Sequence, residues 1–79
     1  MTNKNKSKKK TPKPDIHQIV AENIRKYRLE KGWSQEKLAF EADIHRVYLG
    51  RVECCKQTIS LATLEKIATA LEVSVKDLL

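Results

Sequence analysis

From Ile16 onward, apolar side chains return at helical spacing. Ile16, Ile19, Val20, Ile24 and Tyr27 recur every three or four residues with Glu22, Arg25 and Lys26 between them, which predicts an amphipathic helix from about Asp15 to Lys31. Pro14 and Asp15 suit its start, because proline is tolerated at a helix entrance and a carboxylate accepts hydrogen bonds from the orphan amides there. Gly32 suits its end. Ser34 caps a second helix, Gln35 to Glu41, with Glu36 in the first turn and Leu38, Ala39 and Ala42 as the inward stripe. Asp43 tolerates left-handed backbone angles, so a tight turn is expected there. Ile44 is expected to plug the core and His45 to start a third helix, Arg46 to Glu53, carried by Val47 or Tyr48, Leu49 and Val52. Cys54 to Ile59 reads as a loop. Ser60 caps a fourth helix, in which Leu61, Leu64, Ile67, Ala68 and Leu71 make the clearest amphipathic stripe of the chain. Ser74 with Asp77 three residues on has the form of a capping box, ahead of a last helical turn, Val75 to Leu79.

Composition agrees with an all-α fold of five short helices. Aromatic residues at 5% and two glycines leave little for β architectures, and 79 residues suffice for one small domain. No apolar run approaches the roughly 18 residues of a membrane span, and the lysine-rich start leads into no apolar signal segment. Cys54 and Cys55 cannot make a disulfide framework, so a reducing cytoplasm is the expected location.

The formal charge of +6 is unevenly spread. Six of the 16 basic residues, Lys4, Lys6, Lys8, Lys9, Lys10 and Lys13, lie in residues 1–14, which hold none of the 10 acids, so residues 15–79 are formally neutral. This tail is expected to be disordered, since it has almost no apolar surface to offset the entropy of ordering. It suits polyanions, and can serve on nucleic acid, on anionic lipid or simply in solubility.

Two helices joined by a three- or four-residue turn at about residues 34–53 form a helix-turn-helix candidate, whose second helix is displayed and free to enter a DNA major groove. The stretch Ser34-Gln35-Glu36-Lys37-Leu38-Ala39, then Ala42-Asp43-Ile44, Tyr48-Leu49, Val52-Glu53, Ser60-Leu61, Leu64-Glu65-Lys66-Ile67-Ala68 and Ala70-Leu71 resembles the lambdoid phage repressor and Cro family, also called XRE. The resemblance covers about residues 16–79 and implies a lambda-repressor-like DNA-binding domain over 15–79. Within the family, His45 to Glu53 is similar to controller proteins of restriction-modification systems.

The resemblance implies roles that chemistry can check. Arg46, Val47 and Arg51 match base-reading positions. Their spacing puts them on one side of the third helix, arginine can grip guanine through O6 and N7, and valine can meet a thymine methyl. The plain alternative is that both arginines are solvated surface charges. Gln35 matches a phosphate-binding glutamine at a helix start, and Lys56 and Gln57 fall in a loop that in the family follows the phosphate backbone. Tyr48 can place its hydroxyl on a phosphate or base edge, or simply pack its ring. Arg28 and Glu53 match a structural pair joining the first helix to the end of the third. Val73, Val75, Leu78 and Leu79 are the candidate surface of a homodimer, the alternative being that all four complete the monomer core. Departures from the family pattern are Cys54 and Cys55, where arginine and glycine are frequent, Asp43 for a frequent turn glycine, and Gln57 where the controller subgroup often has arginine.

The implied function is a transcriptional regulator binding double-stranded DNA as a homodimer at a pseudo-palindromic operator. The alternative is a protein-interaction adaptor or antitoxin-like module with the helix-turn-helix as scaffold. No cofactor, metal or small-molecule substrate is expected. Cys54, Cys55, His45 and His17 lack metal-ligand spacing, and a vicinal disulfide is strained because adjacent α-carbons sit about 3.8 Å apart, below the usual range of about 4.4 to 6.8 Å. Ser34, Ser60 and Ser74 are accounted for as caps, and no phosphate-binding glycine loop exists, so an enzyme is not expected.

Overall fold

The computed structural model describes residues 15–79; the expected polybasic tail, 1–14, lies outside them. Five helices follow in order: α1 (Ile16–Glu30), α2 (Gln35–Ala42), α3 (Arg46–Glu53), α4 (Leu61–Leu71) and α5 (Val75–Leu78). Each starts at a residue whose side chain accepts from a backbone amide two or three positions on. Asp15 accepts from Gln18 at 2.9 Å, Ser34 from Lys37 at 3.0 Å, His45 Nδ1 from Val47 at 3.2 Å and Ser60 from Thr63 at 3.1 Å. Ser74 and Asp77 form the expected capping box, with reciprocal bonds of 3.0 and 3.2 Å. These bonds satisfy amides that a helix leaves without internal partners, so the polar residue ahead of each apolar stripe sets where the helix begins.

The helix ends share a second device. Gly32, Asp43, Cys55 and Glu72 all hold positive φ, at 72°, 58°, 61° and 62°. The next amide in each case reaches back to close the turn: Trp33 to Arg28, Ile44 to Ala39, Lys56 to Arg51 and Val73 to Ala68, at 2.8 to 3.0 Å. This backbone closure reverses the chain within a few residues and satisfies the last carbonyls. Only one of the four positions is glycine. At the other three a Cβ is forced into a disfavoured region at a cost of about 1 kcal/mol each, borne because the helices on either side are held by packing. Cys55 therefore makes a left-handed closing turn after α3 without a glycine.

Packing follows the stripes. α2 packs on α3 and α4, α1 on α3, α4 and α5, and α4 on α5. Their shared core holds Val20, Ile24, Leu38, Ala39, Ala42, Leu49, Val52, Leu64, Ile67, Ala68, Leu71 and Leu78, with Ile44, Tyr27 and Trp33 packed against it. Ala39 is buried in this core, as its place on the inward stripe of α2 predicts. Asn23 Nδ2 donates to the Leu78 carbonyl at 3.0 Å and ties the last turn to α1.

Three expectations need correction. Ile16 and Leu61 were placed on inward stripes but are 50% and 79% exposed, because each is the first residue of its helix and sits at the end of the stripe. Leu78, expected on a dimer surface, is wholly buried in the monomer core. Val73 and Val75 pack half-buried against that core and Leu79 is exposed.

Two outcomes follow for stability. Replacing Cys55 with Gly relieves its left-handed strain against some loss of chain entropy, and should raise the unfolding free energy by about 0.5 kcal/mol in urea titration. The Asp77 carboxyl is held below its ordinary value of 3.8, chiefly by the backbone amide of Ser74 and then by its hydroxyl. A carboxyl lowered on folding stabilises fully above that ordinary value and loses the contribution as pH falls through the lowered one. Asp77→Asn should thus reduce Tm at neutral pH, and the gap from the wild type should close on acidification below 3.8.

Candidate nucleic-acid interface

The geometry of the candidate interface starts from a buried carboxylate. Glu53, the last residue of α3, is 2% exposed. Its Oε2 accepts from Arg28 Nε at 2.8 Å, and its Oε1 accepts from Arg28 Nη2 at 2.9 Å and from Gln35 Nε2 at 3.0 Å. Arg28 Nη1 donates to the Trp33 carbonyl at 2.9 Å, and Arg25 Nη2 donates to the Glu53 carbonyl at 2.7 Å. One cluster therefore fixes α1, the start of α2 and the end of α3. A planar guanidinium meeting a carboxylate through two parallel bonds sets direction as well as distance. Desolvating such groups is costly, so the cluster specifies geometry more than it adds stability.

Sequence reasoning found Arg28 and Glu53 but missed the others. Arg25 stands three residues before Arg28, hence on a neighbouring part of the same helix surface, and this spacing is a signal that could have revealed it. The Trp33 carbonyl carries no signal, because backbone groups are the same in every residue. Gln35, expected on a phosphate, has its amide nitrogen on Glu53. It lies half-buried against α3, where a Cβ on Gly50 would meet its Oε1 at 3.5 Å.

With Leu49, Val52 and Glu53 buried, the opposite side of α3 is turned outward. Arg46, Val47 and Arg51 are all exposed, Val47 at 59%. A large aliphatic side chain in water between two arginines is costly in isolation and useful against a base methyl.

The segment after α3 is laced to it. Arg51 Nε donates to Gln57 Oε1 at 3.3 Å and its Nη2 to the Lys56 carbonyl at 3.4 Å. Tyr48 is half-buried, and its hydroxyl donates to the Thr58 carbonyl at 3.2 Å. The ring thus packs as the plain reading had it, while the hydroxyl holds the loop. Lys56 and Gln57 are exposed beside Arg51, so the structure brings together the base-reading and loop candidates. Cys54 and Cys55 are free and exposed. Among the described residues no group of three or more His, Cys, Asp or Glu is arranged to hold a metal ion. No helix there is long and apolar enough to cross a membrane.

A family model described as "Helix-turn-helix" matches residues 24–78. The chain belongs to this helix-turn-helix family, of the XRE type. It is 46% identical over 66 residues to "Control protein C.BamHI" of Bacillus amyloliquefaciens, covering 82% of each chain. The crystal structure of the restriction-modification controller protein C.AhdI from Aeromonas hydrophila is similar with a TM-score of 0.77 and 36% identity, over 80% of this chain and 96% of that one. A structure of the biofilm regulator SinR in complex with DNA has a TM-score of 0.72 and 38% identity, over 75% and 95%. These homologues are transcriptional regulators and controller proteins, which agrees with the helix-turn-helix geometry at α2 and α3.

The cluster makes a definite prediction. Glu53→Ala strands the Arg28 guanidinium in the interior and should lower the unfolding free energy by about 3 kcal/mol or more. The joint substitution Arg28→Met with Glu53→Leu should cost clearly less than the two single changes added together, a coupling measurable by a double-mutant cycle in urea.

Proposed function

We propose that this protein is a sequence-specific transcriptional regulator that binds a pseudo-palindromic operator as a homodimer, with α3 in the major groove. The observation that carries this reading is the division of α3 into a buried side locked by Glu53 and an outward side bearing Arg46, Val47 and Arg51. Arg46 and Arg51 read guanines and Val47 meets a thymine methyl. Lys56, Gln57, Tyr48 and Gln35 set the register on phosphates, Gln35 through the start of α2 and Tyr48 chiefly by holding the loop. SinR, solved with DNA, supports the mode of binding, and the control proteins among the relatives support a role in governing restriction-modification genes.

Dimerisation follows from the small number of bases one α3 can reach. Two copies on half-sites one helical turn apart multiply specificity. Of the four C-terminal candidates, Leu79 is exposed and Val73 and Val75 are half-buried, so these three keep apolar surface for that contact, Leu78 being committed to the core. Such a regulator works in the cytoplasm and needs no cofactor.

Selection from a random duplex library at near-physiological salt tests the proposal. An enriched inverted repeat is the expected result; binding without enrichment overturns sequence specificity and leaves a nonspecific DNA binder, and no binding overturns the reading in favour of an adaptor role. On the selected site Arg46→Ala should weaken binding by about 1–3 kcal/mol and relax the base preference at one position. Lys56→Ala should weaken all duplexes alike.

A further inference from the structure

Arg51 is exposed, yet its guanidinium is already oriented. Nε donates to Gln57 Oε1 at 3.3 Å and Nη2 to the Lys56 carbonyl at 3.4 Å. Nε and Nη2 share one edge of the planar group, the same edge through which Arg28 grips the Glu53 carboxylate. Of the five N–H donors, two are thus turned to the loop, and the far edge, made by Nη1 and the second hydrogen of Nη2, stays free. Two parallel donors on such an edge are what guanine O6 and N7 accept.

The acceptors are themselves fixed. The Lys56 amide donates to the Arg51 carbonyl at 2.8 Å and closes the left-handed turn at Cys55, while the Thr58 carbonyl accepts from the Tyr48 hydroxyl at 3.2 Å. Gln57 stands between these two anchored residues. Because Arg51 offers donors only, the Gln57 amide must turn its oxygen to Arg51, which directs its two Nε2 donors elsewhere. Lysine or arginine at this position would bring donors alone and a like charge; glutamate would bring acceptors alone and a negative charge beside phosphates.

We propose that Gln57 is a specificity-determining positioning residue, whose Oε1 holds Arg51 with its Nη1 and Nη2 edge outward for a guanine while its Nε2 donates to a backbone phosphate. This rests on the DNA-binding reading. One amide then links the register on the backbone to the direction of a base-reading side chain. An arginine held in this way loses less rotamer freedom on binding, whereas a free one can satisfy its donors on a phosphate or on the wrong base.

The test measures the affinity of the full chain for the selected operator and for copies of it changed one base pair at a time. Arg51→Ala first marks the pair that Arg51 reads. At that pair Gln57→Met and Gln57→Lys, which both lack the acceptor, should lower discrimination by about tenfold, in the lower part of what a bidentate contact gives. Discrimination at the pair read by Arg46 should not change. Gln57→Glu keeps an acceptor and should preserve the discrimination at the Arg51 pair while binding every duplex more weakly. In the Arg51→Ala background Gln57→Met should have no further effect on base preference, a coupling that a merely structural role for the loop would not produce. Uniform weakening by Gln57→Met with every base preference retained overturns the inference and leaves Gln57 as a phosphate contact only. Equal loss of discrimination at the Arg46 and Arg51 pairs overturns it in favour of general loosening of the loop. A chain that prefers no duplex before any substitution overturns the DNA-binding reading itself, and this inference with it.

Discussion

Glu53 ends α3 with a carboxylate held out of water, and the arrangement around it depends on that placement. A buried charge must be paired and hydrogen-bonded or it destabilises the fold. Here the pairing comes from α1 through Arg28 and from α2 through Gln35, while Arg25 takes the backbone carbonyl of the same residue. The ends of three helices converge on one group, and each contact restricts an angle that hydrophobic packing alone leaves loose. Leu49 and Val52 hold α3 on the core; Glu53 sets how it is turned.

The outward side of α3 is thus a by-product of what its inward side must do. Eight residues make little more than two turns, so burying Leu49, Val52 and Glu53 leaves Arg46, Val47 and Arg51 facing away. The loop after α3 is held by the same helix, through Tyr48 to Thr58 and Arg51 to Gln57. The candidate base-reading and phosphate-binding groups are therefore carried by α3 and a loop bonded to it, an arrangement that reduces the ordering any ligand would require.

Economy of chain length imposes a cost elsewhere. Four helix ends turn through a left-handed residue, three of them not glycine. The strain persists because closure at each end places the next helix against the core, and burial of Leu38, Leu49 and Leu64 outweighs about 1 kcal/mol per turn.

The sequence by itself determined where the helices lie. Polar caps at Asp15, Ser34, His45, Ser60 and Ser74, stripes at spacings of three and four, and the short segments between them are local properties, and local hydrogen bonds enforce them. The Arg28–Glu53 pair and the outward residues of α3 were legible through the family resemblance together with helical spacing. What lay beyond sequence was decided by tertiary contact. Leu61 and Leu78 have the same side chain and both belong to amphipathic turns, yet one is 79% exposed and the other fully buried. The difference is whether a second helix arrives to cover them. Gln35 and Tyr48 could equally have pointed to solvent, and their bonds to Glu53 and Thr58 exist because α2, α3 and the following loop meet there. Periodicity reports which side of a helix is apolar; only packing between helices decides how far along that side the core extends and which polar groups close it.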